Sequence, residues 1–291
     1  MLVLKRLAAM AAKIGAIFGG AGAALAQTPG IGQPAPWQLG FQQAATPVMD
    51  SIVSFHTFVL WIIIAISAFV LALLLYIIVR FNAGANPTPS RTTHNTLLEV
   101  AWTLIPVVIL VVIAIPSFRL LFYQLNIPAM SAENGDVTIK ATGKQWYWTY
   151  NYPDHGNFEF DSLMIRDPKL LEGRPRLLAV DNELVVPVNK NVRVLTTGAE
   201  VIHAFAVPAF GIKIDSIPGR INETWFRATR EGIYYGQCSE LCGKDHAYMP
   251  IAVRVVSEEA FKTWVDGARK KFARDDAVPT TVATAEQPAL R

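Results

Sequence analysis

Two long apolar stretches constrain the fold of this chain more than any other feature of its sequence. Residues 55–79 contain no Asp, Glu, Lys or Arg, and His56 is their only side chain that titrates near neutral pH. A stretch of this length crosses about 30 Å of hydrocarbon with some tilt. Residues 100–122 form a second stretch, whose two prolines are tolerated in lipid-buried helices. The sequence therefore predicts a transmembrane helical hairpin joined by residues 80–98.

The flanking residues predict how this hairpin is oriented. Residues 1–26 run from basic residues through a short apolar segment to Ala-Leu-Ala, which is typical of a cleaved secretory signal peptide, with an uncleaved anchor as the alternative. The loop at 80–98 carries two arginines and no acidic residue, which predicts a cytoplasmic loop. Residues 27–54 and the chain beyond residue 122 are then periplasmic.

The C-terminal half changes to a pattern of β-strands. Short segments rich in β-branched and aromatic residues alternate with turn residues, and they predict an all-β, cupredoxin-like Greek-key sandwich over residues 136–256. An amphipathic helix at 257–272 follows, with Ser257 as its N-cap, and residues 273–291 are predicted to be disordered. The candidate strands are VTIKATGKQWYWTYNYP, FEFDSLMI, RLLAV, ELVVPV, NVRVLTTG, HAFAVP, TWFRAT, GIYYGQC and IAVRVV.

The composition is typical of a membrane protein, and the charge of the C-terminal part indicates which kinds of partner it can bind. Hydrophobic residues make up 52% of the chain and charged residues 17%, which is too apolar for an ordinary soluble domain. Residues 123–267 carry 18 acidic against 15 basic side chains. This mildly acidic part is expected not to bind nucleic acid and is suited to a cationic partner.

One loop, GQCSELCGKDHAYMP, concentrates metal-binding side chains. It holds Cys238, Cys242, His246 and Met249 within twelve residues, and His203 lies near the end of another candidate strand. Thiolate, imidazole and thioether are the donors that suit copper in a cupredoxin. A mononuclear site of that kind needs one thiolate, whereas two thiolates can bridge two copper ions.

Simpler interpretations account for less of this loop. A disulfide between Cys238 and Cys242 is feasible in an exported protein but leaves His246 and Met249 unexplained. A zinc site does not need a methionine. A thioredoxin-like copper chaperone requires an α/β pattern that this region lacks. The loop therefore favours dinuclear copper.

Three segments resemble a known family. GKQWYWTYNYP, HAFAVPAFGIKIDSIPGRINETW and YYGQCSELCGKDHAYMPIAVRVV, together with the preceding hairpin, make the chain similar to subunit 2 of haem-copper cytochrome c oxidases over about residues 33–268. The resemblance implies an electron-entry subunit that takes electrons from cytochrome c and passes them to haem in subunit 1. Oxygen reduction and proton pumping would occur in the partner complex, which would contain subunit 1 and subunit 3.

The resemblance also implies a role for each donor. Cys238 and Cys242 would bridge the two copper ions of a copper A centre, His203 and His246 would be terminal ligands, and Met249 a weak axial ligand. Glu240 would offer its backbone carbonyl to one copper, and its side chain would reach a Mg²⁺ or Mn²⁺ at the boundary with subunit 1. Haem would be held only by the partner subunit.

Two further roles follow from the resemblance. Trp146 would be the electron entry residue beneath the docked cytochrome c, whereas the adjacent Tyr147 and Trp148 are interpreted as core packing. Glu99 would mark the entrance of a proton pathway, the alternative being an interfacial carboxylate in contact with water. Lys144 stands where the family often has histidine.

A lysine-rich cytochrome c would dock through complementary charge. Some acidic positions of mitochondrial relatives are here Asn151, Gly156 and Asn157, which predicts a weaker acidic patch. The candidate docking carboxylates are Glu200, Asp181, Asp154 and Asp161, each of which could also be an ordinary solvated carboxylate.

The predicted location is a bacterial inner membrane, in contact with lipid, with the copper domain on the periplasmic side. A quinol oxidase subunit would share the hairpin and sandwich but lack the copper ligands. A copper-storage membrane protein would have the site without the docking aromatics. Nitrous oxide reductase has a similar copper loop, but its large propeller domain does not fit in this chain.

Overall fold

A computed structural model describes residues 32–166 and 173–272 of the chain. The predicted signal peptide at 1–26 and the tail at 273–291, predicted to be disordered, lie outside the described residues.

Two apolar helices form the hairpin. Helix α1 spans Pro47–Arg80 and helix α2 spans Thr96–Leu125, and both are long and apolar enough to cross a membrane. Each begins at a side-chain cap: Thr46 Oγ1 accepts a hydrogen bond from the amide of Met49, and Asn95 Oδ1 accepts from amides of the first turn of α2.

Both helices extend beyond the stretches that hydropathy marks. Helix α1 begins eight residues before the predicted span, since its start is set by the Thr46 cap and by a proline at the first helical position. Its 34 residues measure about 51 Å, which exceeds about 30 Å of hydrocarbon. The first turns, which include the buried Val48 and Met49, therefore project from the apolar layer and pack on the β domain.

The β domain is a sandwich of two five-stranded sheets. The first sheet has the order β3-β2-β1-β5-β8 and the second β4-β10-β9-β6-β7. The strands are β1 Val137–Lys144, β2 Tyr147–Tyr152, β3 Phe158–Ser162, β4 Leu184–Pro187, β5 Val192–Gly198, β6 His203–Val207, β7 Ile212–Ser216, β8 Asn222–Phe226, β9 Gly232–Cys238 and β10 Pro250–Val256.

Burial follows the pleat of the strands in the first sheet. Alternate residues of β1 and β5 are buried, because successive side chains of a strand point to opposite faces. Strand β6 is buried along its whole length. Residues 32–46 lie against the second sheet, where the Gly32 carbonyl accepts the amide of Tyr235, and these residues help to cover its outer face.

Helix α3, Glu258–Lys271, closes the domain with Ser257 as its N-cap. Phe261, Val265 and Ala268 are buried against the sandwich, and Trp264 joins an aromatic cluster with Tyr152, Phe158 and Phe160. The hairpin and the two-sheet sandwich confirm the predicted fold class.

One strand prediction was wrong and one strand was missed. RLLAV forms a turn, in which the amides of Leu178 and Ala179 donate to the Pro175 carbonyl, and only Val180 reaches an isolated bridge with Met164. Strand β7 was missed, although it pairs along its whole length with β6. A short apolar run does not reveal whether a neighbouring strand is available to pair with it.

Candidate metal centre

Neighbouring strands of the second sheet bring the donors together. Strand β6 begins at His203 and the antiparallel β9 ends at Cys238, so both residues lie at the same end of the sheet. The loop from β9 to β10 then carries Cys242, His246 and Met249 back over that end. The local fold therefore brings His203 to Cys238, which follows it by 35 residues in the sequence.

Each candidate donor atom lies within 3.8 Å of at least one other, and the ligand atoms of His203, Cys238 and Cys242 all lie within 4.8 Å of one another. Sγ of Cys238 is 3.8 Å from Sγ of Cys242 and 3.7 Å from Nδ1 of His203. Sγ of Cys242 is 3.5 Å from Nδ1 of His246 and 3.5 Å from Sδ of Met249. Both cysteines are free, so the structure does not contain the disulfide that was the simpler interpretation.

Burial controls the protonation of these groups. It raises the pKa of the Cys242 thiol to about 12, and the adjacent Cys238 adds to the shift. Burial also lowers the pKa of His203 below its usual value, although Glu200 opposes this effect. At neutral pH the site thus holds a protonated Cys242 thiol and a neutral His203, and a metal that binds the sulfur must displace its proton.

The residues present fit copper. Two sulfurs, two imidazoles and a thioether form a soft to borderline donor set, and Met249 and His203 are almost completely buried. Nε2 of His203 is buried without a hydrogen-bond partner among the described residues. An imidazole that carries its proton on Nε2 leaves Nδ1, which faces Cys238, free to bind a metal.

Glu240 approaches the donor cluster with its backbone carbonyl, not with its side chain. Its carbonyl oxygen lies 3.2 Å from Sγ of Cys238, which places it at the edge of the donor cluster. Its side chain is exposed. The residue therefore faces the metal site with its main chain and the surroundings with its carboxylate.

The turn between β1 and β2 holds the metal loop in place. Nε2 of Gln145 and Nε1 of Trp146 both donate to the carbonyl of Cys242, at 2.8 and 3.2 Å. Trp146 is thus in direct contact with a donor residue. The sequence did not reveal the role of Gln145, because it depends on contact between positions 97 residues apart.

Trp148 contacts two of the candidate ligands from inside the sandwich. It is fully buried, as the core interpretation predicted. Its Nε1 donates to the carbonyl of Met249 at 3.2 Å, and its ring contacts that of His203 edge-on at 6.0 Å between centroids. Sequence reasoning missed this second role, because it depends on contact between positions 101 residues apart.

Gly143 on β1 makes room for a donor. A Cβ atom at this position would lie 2.7 Å from Cγ of His203 and 2.8 Å from its Cβ and Cδ2. These distances are shorter than real contacts of a Cβ atom. The imidazole therefore packs directly against the backbone of β1, and only glycine fits beneath it.

The other predicted site residues lie apart from the donors. Glu99 is in the first turn of α2, at the end of the helix remote from the β domain. The helix is about 45 Å long from its 30 residues. Its carboxylate has no hydrogen bond or ion pair within the described part of the chain.

The four candidate docking carboxylates are exposed, but three of them have partners within the domain. Asp154 accepts from the amide of Thr138, and Asp181 accepts from two amides. Asp161 accepts from Thr149 and lies 3.9 Å from Nζ of Lys144. Among residues 32–166 and 173–272, Glu200 has no such partner, and its charge acts on His203.

The fold and the site define a class of protein: a membrane-anchored, cupredoxin-like domain with a His and Cys cluster compatible with copper. Family models match most of the chain. The model for the periplasmic domain of cytochrome c oxidase subunit II matches residues 137–256, and the model for its transmembrane domain matches residues 34–120. The chain belongs to the cytochrome c oxidase subunit 2 family and is part of a haem-copper oxidase, which confirms the predicted membership and enzyme.

Two relatives are similar over most of this chain. The probable cytochrome c oxidase subunit 2 of Rickettsia bellii (strain RML369-C) is 52% identical over 244 residues, which cover 84% of this chain and 89% of that protein. Cytochrome c oxidase subunit 2 of Cereibacter sphaeroides is 49% identical over 272 residues, 87% of this chain and 88% of that protein. The crystal structure of the periplasmic domain of subunit II of cytochrome oxidase of Bradyrhizobium japonicum is 66% identical, covering 51% of this chain and all of that one, with a TM-score of 0.47.

Proposed function

We propose that this chain is the electron-entry subunit of its oxidase. It accepts electrons from cytochrome c at a dinuclear copper centre and passes them to haem in subunit 1, where oxygen is reduced to water with proton pumping. The observation that carries the proposal is the pair of free thiols 3.8 Å apart, with two imidazoles and a thioether beside them. A mononuclear copper site has no use for the second thiol.

In this proposal each donor has a defined task. Cys238 and Cys242 would hold both copper ions, His203 and His246 would each bind one ion, and Met249 and the Glu240 carbonyl would be weaker ligands. Bound copper supplies the one-electron redox chemistry. His203, Cys238, Cys242 and Met249 are buried, whereas His246 is partly exposed. The exposed Glu240 carboxylate is available to a Mg²⁺ or Mn²⁺ shared with subunit 1.

Electron paramagnetic resonance of the purified oxidase tests the dinuclear site. We expect a copper hyperfine pattern from one electron shared equally by two nuclei, because two thiolates can bridge two ions. A pattern from a single copper nucleus, or no copper signal outside the catalytic subunit, would contradict the proposal.

Trp146 is proposed as the entry point for electrons from cytochrome c. Replacing Trp146 with glutamine should slow reduction of the copper centre by at least about tenfold. Without the indole, the docked cytochrome c loses its contact above the centre, and misplacement of reacting groups lowers the rate. The copper spectrum should not change, since Gln145 still holds the Cys242 carbonyl. Stopped-flow reduction by cytochrome c measures the rate.

Trp37→Gln is a control for the loss of a tryptophan, since Trp37 is 94% exposed in the segment before α1. It should leave the rate unchanged. Normal reduction of copper in the Trp146→Gln oxidase would remove the assignment.

Glu99 is proposed as the entrance of a proton pathway, on a membrane-spanning hairpin whose β domain faces the periplasm. The Glu99→Gln oxidase should turn over at least about tenfold more slowly, since an amide cannot carry the proton. Its copper signal should be intact, because Glu99 is remote from the donors. Proton uptake by reconstituted vesicles measures the effect.

Asp50→Asn is the matched control, because Asp50 occupies the first turn of the other membrane helix. It should keep normal proton uptake. If Glu99→Gln also takes up protons normally, Glu99 is only an interfacial carboxylate.

A further inference from the structure

Helix α1 begins directly on the β domain rather than after a flexible linker. Thr46, its N-cap, is completely buried. Its Oγ1 donates to the carbonyl of Phe210 at 2.7 Å and accepts the amide of Met49 at 3.0 Å. One hydroxyl group therefore joins the first turn of a membrane helix to the turn that follows β6.

The backbone before the helix strengthens this joint. The amide of Ala45 donates to the Ala209 carbonyl at 2.9 Å, and its carbonyl accepts the Thr229 amide at 2.9 Å. The guanidinium group of Arg230 donates to the carbonyl of Ala44. Residues 44–46 are thus hydrogen-bonded both to the turn after β6 and to the segment before β9.

The helix packs against that turn without a gap. Gly211 has a φ of +72°, and a Cβ atom there would lie 2.7 Å from Cδ1 of Ile52 and 3.1 Å from Cα of Met49. The second helix makes a separate contact, since the ring of Tyr123 meets that of Trp225 on β8 edge-on at 5.8 Å between centroids. Two points of attachment restrict both tilting and rotation of the domain on the hairpin.

The joint and the metal donors occupy opposite ends of the same two strands. Strand β6 runs from His203 to the turn that contacts Thr46, and β9 runs from the segment bonded to Ala45 up to Cys238. A five-residue strand spans roughly 17 Å and is stiffened by its pairing in the sheet. A change of angle at the joint therefore moves the donors as a unit relative to the membrane.

We propose that Thr46 is a positioning residue that sets the orientation of the metal centre above the membrane, and that electron delivery to haem in subunit 1 depends on it. The inference rests on the proposed function, in which reduced copper loses one electron and the haem gains it. A capping residue alone would affect the stability of helix α1 but not this transfer.

Thr46→Val tests the proposal in the complete oxidase, because valine keeps the shape and removes both hydrogen bonds. Thr46→Ser is the matched control, since it keeps the hydroxyl group. Three quantities are measured: the copper spectrum, the rate of copper-to-haem electron transfer after photochemical reduction of copper, and hydrogen exchange of peptides containing residues 208–211 and 229–231.

The valine variant should keep the copper spectrum of the wild type, exchange faster at both peptides, and transfer electrons to haem roughly tenfold more slowly. The serine variant should match the wild type in all three measurements. Faster exchange with an unchanged transfer rate would overturn the proposal and leave Thr46 as a helix cap.

If the valine variant loses its copper signal, the Gly211→Ala variant tests the positioning role instead. The methyl group of alanine at residue 211 must push Met49 and Ile52 away from the turn. Slower transfer with a normal copper spectrum supports the positioning role, and normal transfer overturns it. Failure of the proposed function gives a different result, since the wild type itself would then show no copper-to-haem transfer.

Discussion

If the proposed dinuclear centre is correct, replacing Cys242 with serine should abolish its copper signal and lower the rate of cytochrome c oxidation by at least about 100-fold, the upper end of the loss expected for an outer-shell partner. Serine is nearly the same size as cysteine, so the buried loop keeps its shape. A hydroxyl group is a hard donor that does not ionise readily and cannot replace a bridging thiolate. The remaining thiol, Cys238, can serve at most a single copper ion.

Metal analysis, the copper spectrum and steady-state turnover measure this effect. Ser239→Ala is the matched control, since Ser239 lies in the same loop and, among the residues that the structure describes, its hydroxyl group donates one hydrogen bond, at 3.4 Å to the Gln237 carbonyl. The control should keep both copper ions and full turnover. A Cys242→Ser oxidase that retains two coupled copper ions would show that the second thiolate is not a bridge.

Replacing Gly143 with alanine displaces His203 although residue 143 binds nothing itself. The new methyl group would lie 2.7 Å from the imidazole, so either the ring or the β1 backbone must move. His203 is completely buried. Overpacking of this kind costs about 1–3 kcal/mol of stability. We expect a lower denaturation midpoint and an altered copper spectrum.

Gly267→Ala is the control for this experiment. A Cβ atom at residue 267 meets nothing within 4 Å, and the residue lies inside helix α3. Alanine there should leave the spectrum unchanged and raise stability by up to about 1 kcal/mol. A wild-type spectrum and midpoint in the Gly143→Ala chain would show that the sheet absorbs the methyl group without moving the ligand.

The donor set could be predicted from the sequence because most of it is local. Four of the donors lie in one short loop, and their chemistry is distinctive in any context. The apolar hairpin was equally accessible, since lipid demands a long uninterrupted apolar stretch. In both cases the signal resides in the residue types themselves, and no knowledge of distant contacts is needed.

The supports of the site could not be predicted, because they depend on three-dimensional proximity. Gln145 and Trp148 donate to carbonyl groups 97 and 101 residues away, and Gly143 matters only because His203 lies against it. The segment VTIKATGKQWYWTYNYP reads as one alternating run, yet it folds as two strands. The turn between the two strands contacts the metal loop, but it does not interrupt the alternation of apolar and polar residues, so the sequence does not reveal it.

The contact of residues 32–46 with the second sheet has a consequence for how the chain is made. Ala45 and Thr229 are hydrogen-bonded across 184 positions of sequence, and the whole hairpin lies between them. Residues 32–46 are synthesised before the hairpin, yet their partners in the turn after β6, before β9 and on β9 follow only after both membrane helices. The domain is therefore discontinuous, and it can be completed only when both segments have crossed to the same side of the membrane. Insertion of the hairpin with both ends on one side of the membrane therefore decides whether residues 32–46 reach the second sheet, and a misinserted chain would leave that part of the outer face uncovered.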